Sequence, residues 1–155
     1  MYVLSVLLLM VLLPIIWIGA DHFYFHSALP LMALVGKWFV FWAAGIRLFF
    51  SGLRQLFQPR FTAEYIFGTT SEDALLFIRE LGAANLATGV VGITSEAQPT
   101  FILPVAIAAA VFYGVAGIRH FTDSGRTRIQ NVVMITDLFV SLVLVTYVGH
   151  LVLMG

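Results

Sequence analysis

Four charged residues, Arg47, Arg79, Glu80 and Asp137, stand inside long apolar stretches of the sequence. A charge at the centre of a bilayer costs roughly 2.5–3.5 kcal/mol on insertion scales, so such residues pair with one another or serve a function. Asn85 follows in the same stretch as Arg79 and Glu80 and can form hydrogen bonds across a helix seam. We therefore predict an intramembrane polar network of these five residues. The network either fixes helix packing or relays protons through its two carboxylates.

A second polar group comprises Asp21, His22 and His26, which follow the first apolar stretch, and His150, which stands near the end of the last. His22 and His26 are four residues apart, a spacing that places both on one face of a helix. Imidazoles with a carboxylate bind zinc or copper, and two axial histidines hold a haem. Two interpretations stay open: a metal site of His22 and His26 with Asp21 or His150, or histidines in an interfacial aromatic belt.

Other cofactor and catalytic signals are few. Aromatic residues near Arg47 could form a crevice that accepts a quinone ring, so the sequence leaves quinone and metal as the possible cofactors. The sequence has no cysteine, which excludes disulfides, Cys-ligated metals and thiol catalysis. It also has no Walker loop, Gly-x-Ser-x-Gly or His-Glu-x-x-His motif. The balance therefore favours a protein that is not an enzyme.

Composition determines which elements carry these residues. Of the 155 residues, 61% are hydrophobic and 10% are charged, whereas soluble domains carry about 25% charged residues. A spanning helix needs about 20 mostly apolar residues, and the chain has five such stretches. We predict an all-α integral membrane bundle of five transmembrane helices, forming a single domain over residues 1–155. The expected helices cover about residues 1–20, 31–57, 73–94, 100–119 and 129–154.

Two sequence features indicate the shape and packing of these helices. Pro14 interrupts the first stretch and predicts a kink with a freed backbone carbonyl. Small residues recur on the third and fourth helices and predict close helix–helix seams. They are Gly82, Gly89 and Gly92 on the third helix, and Ala106, Ala110 and Gly114 on the fourth.

The basic residues of the loops predict the orientation. Arg54 and Arg60 lie between the second and third helices, and Arg119, Arg126 and Arg128 lie between the fourth and fifth. Five spans place these two connections on the same side, and basic loops face the cytoplasm. The N-terminus is therefore expected in the cytoplasm and the C-terminus outside.

Several segments resemble an uncharacterised family of bacterial polytopic membrane proteins. They are residues 61–67, 79–89, 117–120 and 131–137, and the resemblance extends over most of the chain. The chain is also distantly similar to DoxX-like membrane proteins, through its size and its Glu-Leu-Gly segment at residues 80–82. These resemblances imply a bacterial inner membrane. The DoxX likeness further implies a helical bundle that serves quinone or sulfur redox systems as an accessory subunit.

Three functions follow as hypotheses. The first is an accessory membrane subunit or homo-oligomer held by the intramembrane Arg/Glu/Asp network. The second is a redox membrane protein linked to a quinone or a metal, and the third is a proton-coupled channel or carrier. The expected partners are the lipid bilayer and either further copies or other membrane subunits. Nucleic acid is not expected, because the net charge is zero and there is no basic patch.

Overall fold

The computed structural model describes residues 2–154, and the regular elements of that range are all helical. Five of the helices are long and apolar enough to cross a membrane, which confirms the predicted fold class. The helices are α1 (Tyr2–Tyr24), α2 (Leu31–Phe57), the short α3 (Pro59–Tyr65), α4 (Glu72–Thr94), α5 (Pro99–Thr122) and α6 (Arg128–Met154).

Two helices run past their expected ends. The first continues from the expected residue 20 to Tyr24 through a π-helical turn, so Asp21 and His22 belong to the helix. The fourth spanning helix, α5, continues from the expected residue 119 to Thr122. There the Arg126 guanidinium donates hydrogen bonds to the backbone carbonyls of His120 and Phe121, at 3.1 and 2.8 Å. It thereby supplies donors to carbonyls at a helix C-terminus, where the regular helical donor four residues on is missing.

Pro14 is accommodated within α1 by a change in the hydrogen-bond pattern. Residues Leu8–Leu12 form a π-helical turn, and the Leu13 N–H donates to the Leu8 carbonyl, five residues back. Because proline has no N–H and its ring crowds the preceding turn, a wider turn lets the helix pass it without ending.

The closest helix seam joins α2 and α4, which run antiparallel. A Cβ placed on Gly52 would lie 2.5 Å from the Leu86 backbone nitrogen, and one on Gly92 would lie 2.7 Å from the Gly45 Cα. Side chains at these positions would collide with backbone, so only glycine permits the approach. The glycine stripe expected on α4 therefore packs against α2.

A second antiparallel pair is formed by α5 and α6. The Ser141 hydroxyl donates to the Ala110 carbonyl at 2.8 Å, and Gly114 and Gly117 face Ser141 and Leu138. Ala110 and Gly114, two of the small residues expected on α5, thus lie at this seam. In contrast, α4 and α5 have little contact with each other, so the two pairs leave a cleft between them.

Successive spanning helices run in alternate directions, so different connections lie at the two ends of the bundle. One end, called the basic end here, holds the start of α1 and the α2–α4 and α5–α6 connections. Tyr2 lies at this end, because its ring is 5.7 Å from the Arg54 guanidinium and packs edge-on against Phe61 at 5.3 Å. The opposite end holds the α1–α2 and α4–α5 connections.

The α2–α4 seam generates a stability prediction. We expect Gly52→Ala to lower the free energy of unfolding by about 1–3 kcal/mol, because the new methyl group overpacks the seam. Gly19→Ala is the matched control, since nothing lies within 4 Å of a Cβ at Gly19 and alanine favours a helix over glycine. Thermal unfolding of both variants in one detergent measures the difference. Equal melting temperatures would contradict the seam.

Candidate functional site

A partly open cavity of about 540 Å³ lies between the helices of the bundle and extends to the basic end. Residues from α2, α4, α5 and α6 form its walls, and α3 and Tyr2 contribute at the basic end. Most of its lining is apolar. The polar and charged lining residues are Tyr2, Arg47, Ser51, Arg54, Gln55, Thr62, Asn85, Tyr113, Arg119, His120 and Asp137.

A π-helical turn in α2 positions Arg47. Residues Val40–Ile46 form the turn, and the Arg47 N–H donates to the Trp42 carbonyl in place of the Ala43 carbonyl. The Ala43 carbonyl instead accepts a hydrogen bond of 2.5 Å from the Tyr113 hydroxyl of α5. The wider turn thus ties α2 to α5 just before Arg47, and π turns of this kind are frequent at functional sites.

The Arg47 side chain is only partly satisfied. One terminal nitrogen donates to the Tyr2 hydroxyl at 3.1 Å, whereas the Nε atom is buried without a hydrogen-bond partner. Asp137 lines the same cavity and is 6% exposed. Among residues 2–154, neither Arg47 nor Asp137 has an ion-pair partner within 4 Å. A buried donor without a partner costs free energy that an acceptor on a ligand would recover.

Two further arginines stand at the mouth of the cavity, at the basic end. The Arg54 guanidinium lies 4.6 Å from the Phe61 ring, and the Arg119 guanidinium lies 4.7 Å from the Phe67 ring. Both arginines are exposed, and neither has a carboxylate within 4 Å in the described part of the chain. His120 is only 4% exposed, and its Nδ1 atom is buried without a partner.

A buried amide pair lies on the α2–α4 side of the cavity. The Asn85 side-chain nitrogen donates to the Gln55 side-chain oxygen at 2.8 Å, and both residues are buried. Asn85 therefore has a neutral partner on α2, where the sequence predicted a network with charged residues. Its place at the helix seam is the one that the glycine spacing indicated.

The structure brings only part of the predicted polar network together. Arg47, Asn85 and Asp137 line one cavity. Arg79 and Glu80 are exposed on the outside of α4 and have no ion-pair partner within the described residues.

The helix seam explains why Arg79 and Glu80 stay apart from the cavity. Gly82 packs against Gln55 and Leu56, near the end of α2. Arg79 lies almost one turn closer to the start of α4, so it is level with the end of α2. At that level a long charged side chain can extend toward the lipid headgroups.

Asp21, one of the four predicted metal ligands, is engaged by other groups at the opposite end. The Trp38 indole nitrogen donates to its carboxylate at 2.9 Å, and the Lys37 ammonium lies 3.5 Å from the same oxygen. Lys37 also pairs with Glu96 at 3.3 Å, so it joins the α1–α2 and α4–α5 regions. The sequence alone does not reveal this bridge, because it joins residues distant in sequence.

The three histidines of the predicted metal site are exposed and do not gather. The His22 ring packs edge-on against Phe23 at 4.7 Å, and His26 adopts a left-handed backbone conformation with φ of 49°. Over residues 2–154, no group of three or more His, Cys, Asp or Glu side chains is placed to hold a metal ion. The structure therefore does not assemble His22, His26 and His150 with Asp21.

Several lining residues were not identified as site residues from the sequence. Arg54 and Arg119 were interpreted only as loop charges that set orientation. The spacing of Arg47, Ser51, Arg54 and Gln55 is a signal that could have found this face of α2, because residues three and four apart are neighbours on a helix. Five aromatic residues line the cavity together with Arg47, namely Tyr2, Phe61, Phe67, Phe112 and Tyr113.

The chain matches the profile of a known protein family. It belongs to a family of unknown function, DUF6790, whose profile matches residues 1–150. This finding confirms the resemblance to an uncharacterised family and does not support the DoxX-like likeness. Searches of curated proteins and of solved structures found no match.

The Tyr113 hydrogen bond generates a second prediction. We expect Tyr113→Phe to lower the free energy of unfolding by about 1 kcal/mol, because the Ala43 carbonyl loses its donor. This corresponds to a fall of about 2–4 °C in melting temperature for a chain of this length. The control is Tyr24→Phe, whose side chain is 77% exposed. If both variants melt at the same temperature, the hydrogen bond does not stabilise the π turn.

Proposed function

We propose that the protein binds an amphipathic molecule inside the membrane. The polar head of this molecule lies at Arg47, and its apolar part packs against the apolar walls of the cavity. The observation that carries the proposal is the buried, unpartnered Arg47 Nε atom beside a cavity of about 540 Å³. This volume falls within the range of roughly 300–1,000 Å³ that is typical of ligand pockets.

The cleft between α4 and α5 supports entry from the bilayer. Leu81 of α4 and Ala108, Val111 and Val115 of α5 line the cavity. Val111 and Val115 are also largely exposed, at 62% and 65%. An apolar chain in the lipid could therefore enter between the two helices while its head reaches the arginines.

The basic end is proposed to face the cytoplasm, in keeping with the positive-inside rule. The N-terminus then lies in the cytoplasm and the C-terminus outside, and the membrane is the bacterial inner membrane. In this orientation Arg54 and Arg119 stand at the cytoplasmic headgroups, where anionic lipids attract basic side chains.

The geometry supports the three functional hypotheses drawn from the sequence to different degrees. Binding is compatible with an accessory subunit, and the aromatic residues around Arg47 favour a quinone more than a metal. A network that holds copies together gains less support, because its charged members lie in two separate places. A proton relay through Glu80 and Asp137 gains least, since Glu80 is exposed outside the bundle and Asp137 is buried inside.

The proposal is tested with two probes that share one oleoyl chain, lysophosphatidate with an anionic head and monoolein with a neutral head. We expect saturable binding of at least one probe to the purified protein, measured by thermophoresis. Val111→Trp should weaken this binding about tenfold, because the indole ring fills the cleft beside the cavity. Ile107→Trp is the matched control one turn away, at an exposed position outside the cavity lining.

Two results would overturn the proposal. One is that neither probe binds saturably to the wild-type protein. The other is that Val111→Trp and Ile107→Trp bind both probes as well as the wild type, which would place the binding outside this cavity.

A further inference from the structure

We infer that the ligand's head is an anion, a phosphate or carboxylate group, which Arg47, Arg54 and Arg119 bind together. This inference rests on the proposed function and specifies its ligand class. It starts from the charges that line the cavity. These are three guanidinium groups and the single carboxylate of Asp137, so two positive charges are in excess.

None of the three arginines has a carboxylate within 4 Å among residues 2–154, so each can bind an anion. Arg54 and Arg119 contact aromatic rings, which orient a guanidinium without neutralising its charge. Two other arginines at the basic end, Arg60 and Arg126, have partners of their own. Arg60 pairs with Glu72 at 2.6 Å, and Arg126 donates to backbone carbonyls at the end of α5.

Two buried nitrogen atoms of the cavity lining also favour an anionic ligand. The Nε atom of Arg47 and the Nδ1 atom of His120 are both buried without a partner, and both residues line the cavity. Planar guanidinium groups bind carboxylate and phosphate oxygens with two parallel hydrogen bonds. An anionic head with several oxygens could therefore accept hydrogen bonds from the Arg47 guanidinium and from a ring N–H of His120.

Charge balance favours an anion over a neutral quinone. A neutral head would leave both excess positive charges of the cavity lining without a counter-charge. A phosphate monoester carries roughly −1.5 to −2 charges at neutral pH, which matches that excess. The apolar walls favour a phosphate or carboxylate joined to an acyl chain over free phosphate.

The inference predicts in which direction a change at Asp137 shifts the affinity for an anion. The Asp137 side chain lies in the same cavity, and the ionised carboxylate repels an anionic head, while the arginines attract it. Asp137→Asn should therefore tighten the binding of an anion, by about threefold to tenfold for unit charges separated by several ångströms. The same change should leave the binding of a neutral head nearly unaltered.

The experiment compares lysophosphatidate, oleate, monoolein and inorganic phosphate on the full chain. We expect lysophosphatidate and oleate to bind at least tenfold more tightly than monoolein. Arg47→Gln should remove this preference, and Arg54→Gln should reduce it severalfold without disturbing the buried part of the site. Arg60→Gln is the matched control, because Arg60 lies outside the cavity and pairs with Glu72.

The outcomes separate the inference from the proposed function. If monoolein binds as tightly as lysophosphatidate and Val111→Trp weakens both, the cavity binds amphiphiles and the anion inference is wrong. The inference is also wrong if Asp137→Asn weakens lysophosphatidate binding in a folded protein, or if Arg54→Gln and Arg60→Gln have equal effects. Phosphate that binds as tightly as lysophosphatidate would assign the site to a free anion and overturn the acyl-chain part.

Discussion

The buried Arg47 guanidinium has only some of its hydrogen bonds satisfied, and the bundle is arranged around this constraint. The guanidinium lies among apolar helices and finds one hydroxyl, from Tyr2, but no carboxylate within 4 Å in residues 2–154. The π turn of α2, the Tyr113 hydrogen bond and the start of α1 all converge on this residue. Charged residues inside a membrane pair with one another or serve a function, and Arg47 has no carboxylate partner within the described residues and lines a cavity.

The basic side chains at the two ends of the bundle have different neighbours. At the opposite end, Lys37 is held between Asp21 and Glu96, and its ammonium lies 4.3 Å from the Trp38 ring. That arrangement satisfies the cation and joins helices. At the basic end, the guanidinium groups of Arg54 and Arg119 contact aromatic rings and have no carboxylate within 4 Å among the described residues, which leaves their charge available. The contrast supports the proposal that a ligand binds at the basic end, whereas the Lys37 ion pairs join helices at the other end.

Hydropathy predicted the five spanning helices, because the need for apolar stretches of spanning length dominates a membrane sequence. The glycine spacing indicated the α4 seam, since small residues permit close approach. It did not show that α2 was the partner, nor that Arg79 lies level with the end of α2. Residues such as His120 and Tyr113 were missed as site residues because their roles depend on which helices pack together. The π turns have no simple sequence signature beyond Pro14.

Native mass spectrometry of the protein released gently from its own membrane tests the central claim most directly. The account predicts one retained small molecule per chain, with a phosphate or carboxylate head and an apolar part. This molecule should be retained by Arg60→Gln and lost from a folded Arg47→Gln variant. A wild-type protein without any retained molecule, or the same molecule retained equally by both variants, would contradict the account.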